Sequence, residues 1–238
     1  MPLGEVFTRW GRQSCPEGSQ LVYSGVAAGS YYSSTGNGAN LQCLPPQAAY
    51  QEGKYDSARS GTADMYRAEY HTQGSGLGAA FDQLHDLEVP CAVCQRLERG
   101  RTTMVPGKVT CPSGFDADYA GYIFATPHVS GAQRGEYVCV DQNATGVGSI
   151  GNENGHLLSP VEAASSSLIG YDARELTCVV CSSSARGSIW VNYGRRDCSP
   201  SKAKLLYAGQ LAGSNSYSGG STFFFFFFFF FFFFFFFF

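Results

Sequence analysis

The chain has 238 residues, of which 15% are charged, and its formal net charge at pH 7 is −3. It contains no run of Lys or Arg, which excludes a basic nucleic-acid surface. The last sixteen residues are all phenylalanine, so 222 residues carry information, enough for one large domain or two smaller ones. The 29 Gly and 14 Tyr favour short strands joined by tight turns over long helices.

Short segments rich in β-branched and aromatic residues, bounded by Gly, Asn or Pro, predict strands along the whole chain. In chain order they are SQLVYSGVA (19–27), TADMYRAEYHT (62–72), GRTTMVPGKVT (100–110), EYVCVDQ (136–142) and RELTCVVC (174–181). One passage, 76–88, places Leu77, Phe81 and Leu84 roughly on one helical face, which predicts a short helical turn or a loop. The Gly/Ser/Asn-rich stretches 29–40 and 143–156 predict surface loops.

The cysteine spacing indicates an internal duplication. Cys15 to Cys43 and Cys111 to Cys139 are both 28 residues apart, and Cys94 to Cys111 and Cys181 to Cys198 are both 17. A Cys-x-x-Cys pair closes each half, as PCAVCQ (90–95) and TCVVCS (177–182), and each half opens with Cys-Pro-x-Gly-x4-Tyr-x-Gly. The sequence therefore predicts one duplicated domain over 5–182, with halves at about 5–100 and 101–182.

The residues around Cys198 begin a further copy. WVNYGRRDCSP (190–200) is similar to the WGRQSCPEG that opens the chain at Trp10. We expect a truncated second copy over 188–222, in which Cys198 lacks a partner.

The poly-phenylalanine tract, 223–238, is left out of the fold prediction. As a helix it would span about 24 Å, short of the roughly 30 Å hydrocarbon core of a bilayer. We interpret it as a mistranslated T-rich tract or a damaged gene model, and we expect no membrane anchor.

The Cys-x-x-Cys pairs allow three interpretations. A redox centre needs the motif at the start of a helix, whereas both copies lie in strand-like surroundings. A four-sulfur zinc site would leave unused the four cysteines that repeat in step with the pairs. Disulfides use all eight cysteines, and distant pairing closes long loops, although three connectivities per half remain open.

The ordered set of motifs resembles a known family. The Cys-Pro-x-Gly…Tyr-x-Gly opening, a middle cysteine, and Cys-x-Val-Cys before a second such half are similar to the non-collagenous C-terminal domain of type IV collagen. TRWGRQSCPEGSQLVYSG (8–25), VPCAVC and RELTCVVC resemble more closely the spongin-type short-chain collagens of sponges and other invertebrates. The resemblance covers about 5–182 and again 188–220.

This resemblance implies a mainly β, disulfide-stapled domain of two similar halves with C-type-lectin-like topology, serving chain association and extracellular networks. It also implies the disulfides Cys15–Cys94 and Cys43–Cys91 in the first half, and Cys111–Cys181 and Cys139–Cys178 in the second. The chain departs from the collagens in having no Gly-X-Y run and in lacking a further close-spaced cysteine pair in each half. Neither trimer formation through a stalk nor collagen cross-linking residues are carried over.

Nine cysteines favour an oxidising compartment, and the sequon Asn143-Ala144-Thr145 predicts glycosylation of Asn143 in a secreted protein. The first residues, MPLGEVFTRW, contain no apolar signal-peptide core. We therefore expect the natural N-terminus to lie upstream.

Three function hypotheses follow. The first is an extracellular matrix or adhesion module that binds other matrix proteins or its own chain, with Tyr31, Tyr32, Tyr50 and Tyr55 as candidate contacts. The second is a secreted carbohydrate-binding module that binds glycans. It could hold calcium through the oxygen-bearing loop residues, which are Asp141, Asn143, Asn152, Glu153 and Asn154.

The third hypothesis, an enzyme, is not favoured. No nucleophile elbow, zinc-protease motif or phosphate loop is present, and the only suggestive adjacency is His85-Asp86. We expect His71, His85, His128 and His156 to be surface or satisfied core residues, and we expect no cofactor.

Overall fold

A computed structural model of the chain describes residues 4–34, 40–47, 49, 63–98, 100–127, 135–148, 151–163, 174–185, 187–200, 203–213 and 224–227. Within these ranges the protein is mainly β, with twelve strands and one helix of four residues. The mainly β class predicted from composition is confirmed.

The two halves contain the same five strands in the same order. The first half contains β1 Val6–Trp10, β2 Ser19–Gly29, β3 Gln42–Leu44, β4 Tyr66–Tyr70, the helix α1 Ala79–Asp82, and β5 Pro90–Arg96. The second contains β6 Arg101–Pro106, β7 Asp116–Ala125, β8 Val138–Asp141, β9 His156–Pro160 and β10 Thr177–Ser183. A further hairpin follows, formed by β11 Gly209–Ala212 and β12 Phe224–Phe227.

The strands of both halves form one sheet that closes on itself. Seven strands make the ring, in the order β7-β8-β1-β5-β2-β4-β9, and β9 pairs again with β7. Outside this ring β3 pairs with β2, β10 with β7, and β6 with β10. Two parallel contacts join the halves, β4 with β9 and β1 with β8 through Trp10 and Val140.

The registers of the two halves also coincide. Trp10 lies opposite Cys91 in the β1–β5 ladder, and Pro106 lies opposite Cys178 in the β6–β10 ladder. The ladders β2–β5 and β7–β10 each contain one bulged residue, which is Val22 in the first half and Asp118 in the second. The cysteine repeat thus corresponds to a repeat of strands, registers and bulges.

A glycine occupies one equivalent position in both halves because another strand passes too close for a side chain. A Cβ on Gly25 would collide with the carbonyl oxygen of Leu44, and a Cβ on Gly121 with that of Val140. These contacts bring β3 against β2 and β8 against β7.

The hairpin of β11 and β12 repeats the pairing of β2 with β3. Gly209 pairs with Phe227, and Val26 pairs with Leu44, so both members of the pair lie 183 residues later, the spacing that separates Cys15 from Cys198. Four residues of the tract left out of the fold prediction therefore form a strand. Phenylalanine has a high β propensity, and the tract begins where the repeat requires β3.

The largest core cluster draws on both halves. Tyr70, Phe81 and Leu84 from the first half pack with Phe124 and Leu158 from the second. The Tyr70 and Phe124 rings lie 6.2 Å apart at 78°, an edge-to-face contact. Since Phe81 and Leu84 are buried, the predicted short helical turn is found with its apolar face on the core.

Candidate functional site

The Cys-x-x-Cys pairs lie inside strands, in β5 and β10, and all four of these cysteines are fully buried. Successive side chains of a strand point to opposite faces, so residues three apart face opposite sides of the sheet. Cys91 and Cys94 therefore cannot bond to each other, and each reaches a partner on its own face.

Four disulfides result, and disulfide bonding is confirmed. They are Cys15–Cys94, Cys43–Cys91, Cys111–Cys181 and Cys139–Cys178, which are the pairs that the resemblance implies. Their sequence separations are 79, 48, 70 and 39 residues, and loops of this length are worth about 4 kcal/mol each by restricting the unfolded chain. The eight sulfurs are consumed structurally.

Cys198 is the free cysteine of the described residues, and it is half-buried. The described residues also contain no group of three or more His, Cys, Asp or Glu side chains that could hold a metal ion. A zinc interpretation of the cysteines has no support there.

Of the polar loop residues named for calcium, Asp141 has its side chain engaged in protein contacts, while Asn143, Glu153 and Asn154 make contacts through their backbone amides. Asp141 is almost fully buried and accepts from Arg9 Nε at 2.8 Å, from Arg9 Nη2 at 2.5 Å, and from the Asn143 amide at 2.8 Å. The amides of Glu153 and Asn154 both donate to the buried carboxylate of Glu69, at 3.2 Å. Asn152 is exposed.

The Glu69 carboxyl is the centre of that second loop. Burial raises the pKa of Glu69, and the amides of Asn154 and Glu153 act in the opposite direction. This arrangement stabilises the loop before β9.

The described histidines make structural contacts. His85 Nδ1 accepts from the Thr72 amide at 3.1 Å, and its Nε2 lies 3.5 Å from Asp86, which has a positive φ of 63°. His71 lies 3.2 Å from Ser159 Oγ, and its ring is 5.3 Å from that of His85. His128 lies outside the described residues.

His156 is buried where β9 of the second half lies against the end of β2 of the first half. Its Nδ1 lies 2.6 Å from the Ser30 carbonyl oxygen, so Nδ1 donates, and its Nε2 lies 3.4 Å from Thr126 Oγ1. Burial lowers the pKa of His156, and the bond to Ser30 acts in the opposite direction. The neutral imidazole is therefore the form that fits this site.

Two of the tyrosines named as contacts are described, and they form a surface cluster with a third. The Tyr31 ring lies 4.9 Å from that of Tyr32 and 5.3 Å from that of Tyr66. Tyr50 and Tyr55 lie outside the described residues. Asn143, the predicted glycosylation site, is exposed in the turn after β8, and its carbonyl accepts from Arg12.

Two buried ion pairs across the halves were not predicted from the sequence. Besides Arg9–Asp141, Arg96 Nη1 lies 2.6 Å from Asp118 Oδ1, and the carboxyls of both pairs are 1% exposed. Burial raises the pKa of Asp118, against the opposing effects of Ser182 and Arg96. Because the partners of Asp141 and Asp118 lie 132 and 22 residues away, no local spacing could have indicated these pairs.

Contacts of Arg9 and Thr8 extend the same junction. The Arg9 guanidinium lies over the Tyr119 ring, 5.6 Å from its centroid. The Tyr119 hydroxyl donates to the Cys139 carbonyl at 3.1 Å and lies 3.4 Å from the carbonyl oxygen of Thr8. We call the contact formed by β1 and Arg96 against β7 and β8 the half-to-half junction.

A cavity of about 440 Å³ lies where the second half meets residues 187–208. Its walls include Arg101 and Phe115 from the second half and Trp190 and Leu205 from the following segment. His71, His85 and His156 are not among its lining residues.

No protein-family model matches the chain, and no solved structure matches it. Among the described residues, no helix has the length and apolar character needed to cross a membrane. The four disulfides fit an oxidising, extracellular setting.

Proposed function

We propose that the chain is a secreted extracellular matrix or adhesion module that acts by protein–protein association, without catalysis. In this proposal it belongs with the non-collagenous domains of spongin-type short-chain collagens, and its halves have the C-type-lectin-like topology of that class. Its partners are other matrix proteins or further copies of its own chain.

The observation that carries the proposal is the cysteine connectivity. In each half the early cysteine bonds to the last cysteine of the Cys-x-x-Cys pair, and the middle cysteine bonds to the first. The same connectivity is implied by the resemblance, and it occurs twice in one register. Because the residues given contain no Gly-X-Y run, the proposal concerns the non-collagenous domain alone.

The proposed protein–protein association is supported by the apolar side chains exposed on the first half. The described histidines and the buried carboxyls of Asp118 and Asp141 are taken up by structural contacts. Large apolar side chains, in contrast, are exposed on the first half at Leu21, Val22 and Leu44. Exposed apolar surface of this kind is typical of protein interfaces.

The test is binding of the oxidised chain to immobilised matrix proteins, measured by biolayer interferometry, together with light scattering for self-association. We expect saturable binding or concentration-dependent association, and loss of both after reduction and alkylation of the disulfides. A strict monomer that binds no matrix protein would contradict the proposal.

The alternative is a carbohydrate-binding module, and the surface cluster of Tyr31, Tyr32 and Tyr66 favours it because tyrosine rings present an apolar face with a polar edge. A glycan array read with and without chelator tests it. Because Asp141 and Glu69 are engaged in protein contacts, we expect any glycan signal to be independent of calcium. An array without a signal excludes this alternative.

A further inference from the structure

The half-to-half junction has an uncovered counterpart on the first half. The internal repeat places Val22, Tyr23, Leu44 and Pro45 at the positions of Asp118, Tyr119, Val140 and Asp141. On the second half these positions are covered by β1 and Arg96 of the first half. On the first half they form an exposed patch, which we call the first-half face.

The exposures of equivalent side chains differ accordingly. Tyr23 is 39% exposed and Tyr119 is 7% exposed, while Leu44 is 40% exposed and Val140 is fully buried. Val22 is 52% exposed, whereas the Asp118 side chain is 1% exposed. The first-half face is therefore exposed, whereas the equivalent surface on the second half is covered within the same molecule.

A segment that corresponds to β1 in the repeat lies at the other end of the chain, where it forms no strand and exposes apolar side chains. With the spacing of 183 residues that relates Cys15 to Cys198, β1 corresponds to residues 189–193. Gly11 and Gly194, which follow these segments, both have positive φ, 89° and 77°. Ile189, Trp190 and Val191 are exposed, and we call residues 189–193 the C-terminal stripe.

Trp190 is the largest exposed apolar side chain of the C-terminal stripe. It stands at the position of Phe7, which in the first half packs against the core cluster of Tyr119 and Ile123 in the second half. Trp190 itself is 57% exposed. The C-terminal stripe thus carries, at the position of Phe7, an apolar side chain that is exposed beside the cavity it forms with the second half.

Charged residues of the half-to-half junction have uncharged equivalents on both the C-terminal stripe and the first-half face. Arg9 is replaced by Asn192 in the C-terminal stripe, and its partner Asp141 is replaced by Pro45 on the first-half face. Likewise the buried Asp118 is replaced by Val22. Docking of the stripe on the face would therefore bury no unpaired charge, the usual penalty for a mismatched interface.

The junction is also repeatable within the chain. β12 lies beside β6, as β8 lies beside β1, and these strands correspond in the repeat. The contact of β1 with β8 joins the first half to the second, and the contact of β6 with β12 joins the second half to the segment that follows it in the same way.

We propose that the C-terminal stripe of one chain docks on the first-half face of a second copy, in the arrangement of the half-to-half junction. The contact joins two different surfaces, so it is heterologous and leads to rings or filaments. The inference rests on the proposed association function and deepens it by naming the partner, a second copy of this chain.

The experiment uses two full-length variants, each of which damages one surface. Trp190→Asp places a charge in the C-terminal stripe, and Val22→Asp places one on the first-half face. Val109→Asp is the matched control, because Val109 is exposed and lies outside both surfaces. Every protein carries Cys198→Ser in addition, so that a disulfide between copies cannot imitate docking.

Sedimentation velocity over a concentration series gives the dissociation constants. We expect the parent to associate, the control to match it, and each surface variant to bind itself at least about tenfold more weakly, the effect of about 1.4 kcal/mol. Mixing the two variants should restore a one-to-one complex, because each retains the surface that the other lacks. Circular dichroism and non-reducing peptide mapping check that each variant has the parent fold and disulfides.

Three outcomes would overturn the inference: a parent that stays monomeric, surface variants that associate like the parent, or a mixture that stays monomeric while each variant is folded. Matrix binding of the same proteins separates this inference from the proposed function. If the variants bind matrix proteins as the parent does while self-association is absent, the docking inference fails and the proposed function stands. Self-association that needs both surfaces, without matrix binding, supports the inference by itself.

Discussion

The two halves share strands, registers, bulge position and disulfides, yet they differ in what covers one surface. The second half has Asp118 and Asp141 at the junction, where Arg96 and Arg9 neutralise them. The first half has Val22 and Pro45 at those positions, and both are exposed. The framework of the fold is thus set by positions that repeat, and the assembly of the halves is set by positions that do not.

The largest effect should come from the shared framework, and it tests whether the halves are energetically equivalent. One variant replaces both Cys43 and Cys91 with alanine, and a second variant replaces both Cys139 and Cys178, so that each lacks one disulfide. Each should lower the free energy of unfolding by about 4 kcal/mol, because the loops of 48 and 39 residues have similar closure entropy. Urea denaturation measures both, and a loss twice as large in one half would contradict equivalence.

The next largest effect concerns the half-to-half junction, where the two halves differ in burial. Arg96→Met leaves the buried Asp118 carboxyl without its cation and should cost about 3 kcal/mol of unfolding free energy. Val22→Asp puts a carboxyl at the equivalent exposed position of the first half and should change that free energy by less than about 0.5 kcal/mol. Chemical denaturation of dilute protein distinguishes them, and equal losses would show that the burial difference has no energetic weight.

A smaller effect tests the paired glycines. Gly25→Ala and Gly121→Ala should each cost about 2 kcal/mol, since the new methyl group meets the carbonyl oxygen of Leu44 or Val140. Gly114→Ala is the control, because a Cβ there meets nothing within 4 Å and only the positive φ of 87° is strained, worth about 1 kcal/mol. Thermal and urea unfolding should rank the control below both, and a reversed order would contradict close strand approach.

The smallest effect concerns His156. The register of β4 on β2 and of β9 on β7 places Ala63 at the equivalent position of the first half, which therefore has no counterpart of this histidine. Burial lowers the pKa of His156 in the folded protein below its ordinary value of 6.5. The unfolded chain therefore binds more protons below that pH, and stability falls as the pH is lowered from neutral.

We expect His156→Asn to reduce the loss of stability between pH 7 and pH 5, because the substituted side chain binds no proton in that range. Urea midpoints across that range for both proteins give the result. Parallel pH profiles for parent and variant would show that His156 does not contribute.

Much of the repeat framework was predictable because cysteine spacing and strand periodicity are local signals. The segments around 19–27, 62–72, 100–110, 136–142 and 174–181 each contain a strand, and the passage 76–88 contains the one short helix. The strands β1, β3, β9, β11 and β12 were not predicted, and β5 was indicated only by the strand-like surroundings of its Cys-x-x-Cys pair. In β1 only Trp10 is fully buried, and β9 is an almost continuous buried run without alternation.

The junction could not be predicted, for a different reason. Arg9 stabilises the fold through its ion pair with Asp141, and the two side chains meet only after the sheet has closed around both halves. Comparison of equivalent positions, Val22 with Asp118 or Pro45 with Asp141, is the one signal in the sequence that marks the surface. It becomes interpretable only when the bulges are known to coincide.

The disulfide between Cys15 and Cys94, and the one between Cys111 and Cys181, also determine how the domain transmits tension. Force applied at residues 5 and 182 passes through the first crosslink, along the chain from Cys94 to Cys111, and through the second crosslink. All residues inside the two crosslinked loops are bypassed and cannot lengthen. Stretching can draw out only the connecting segment and the short ends, and the segment contributes about 60 Å when fully extended. A load on the domain would therefore strip β1 and β6 from the sheet and leave the crosslinked loops of each half folded.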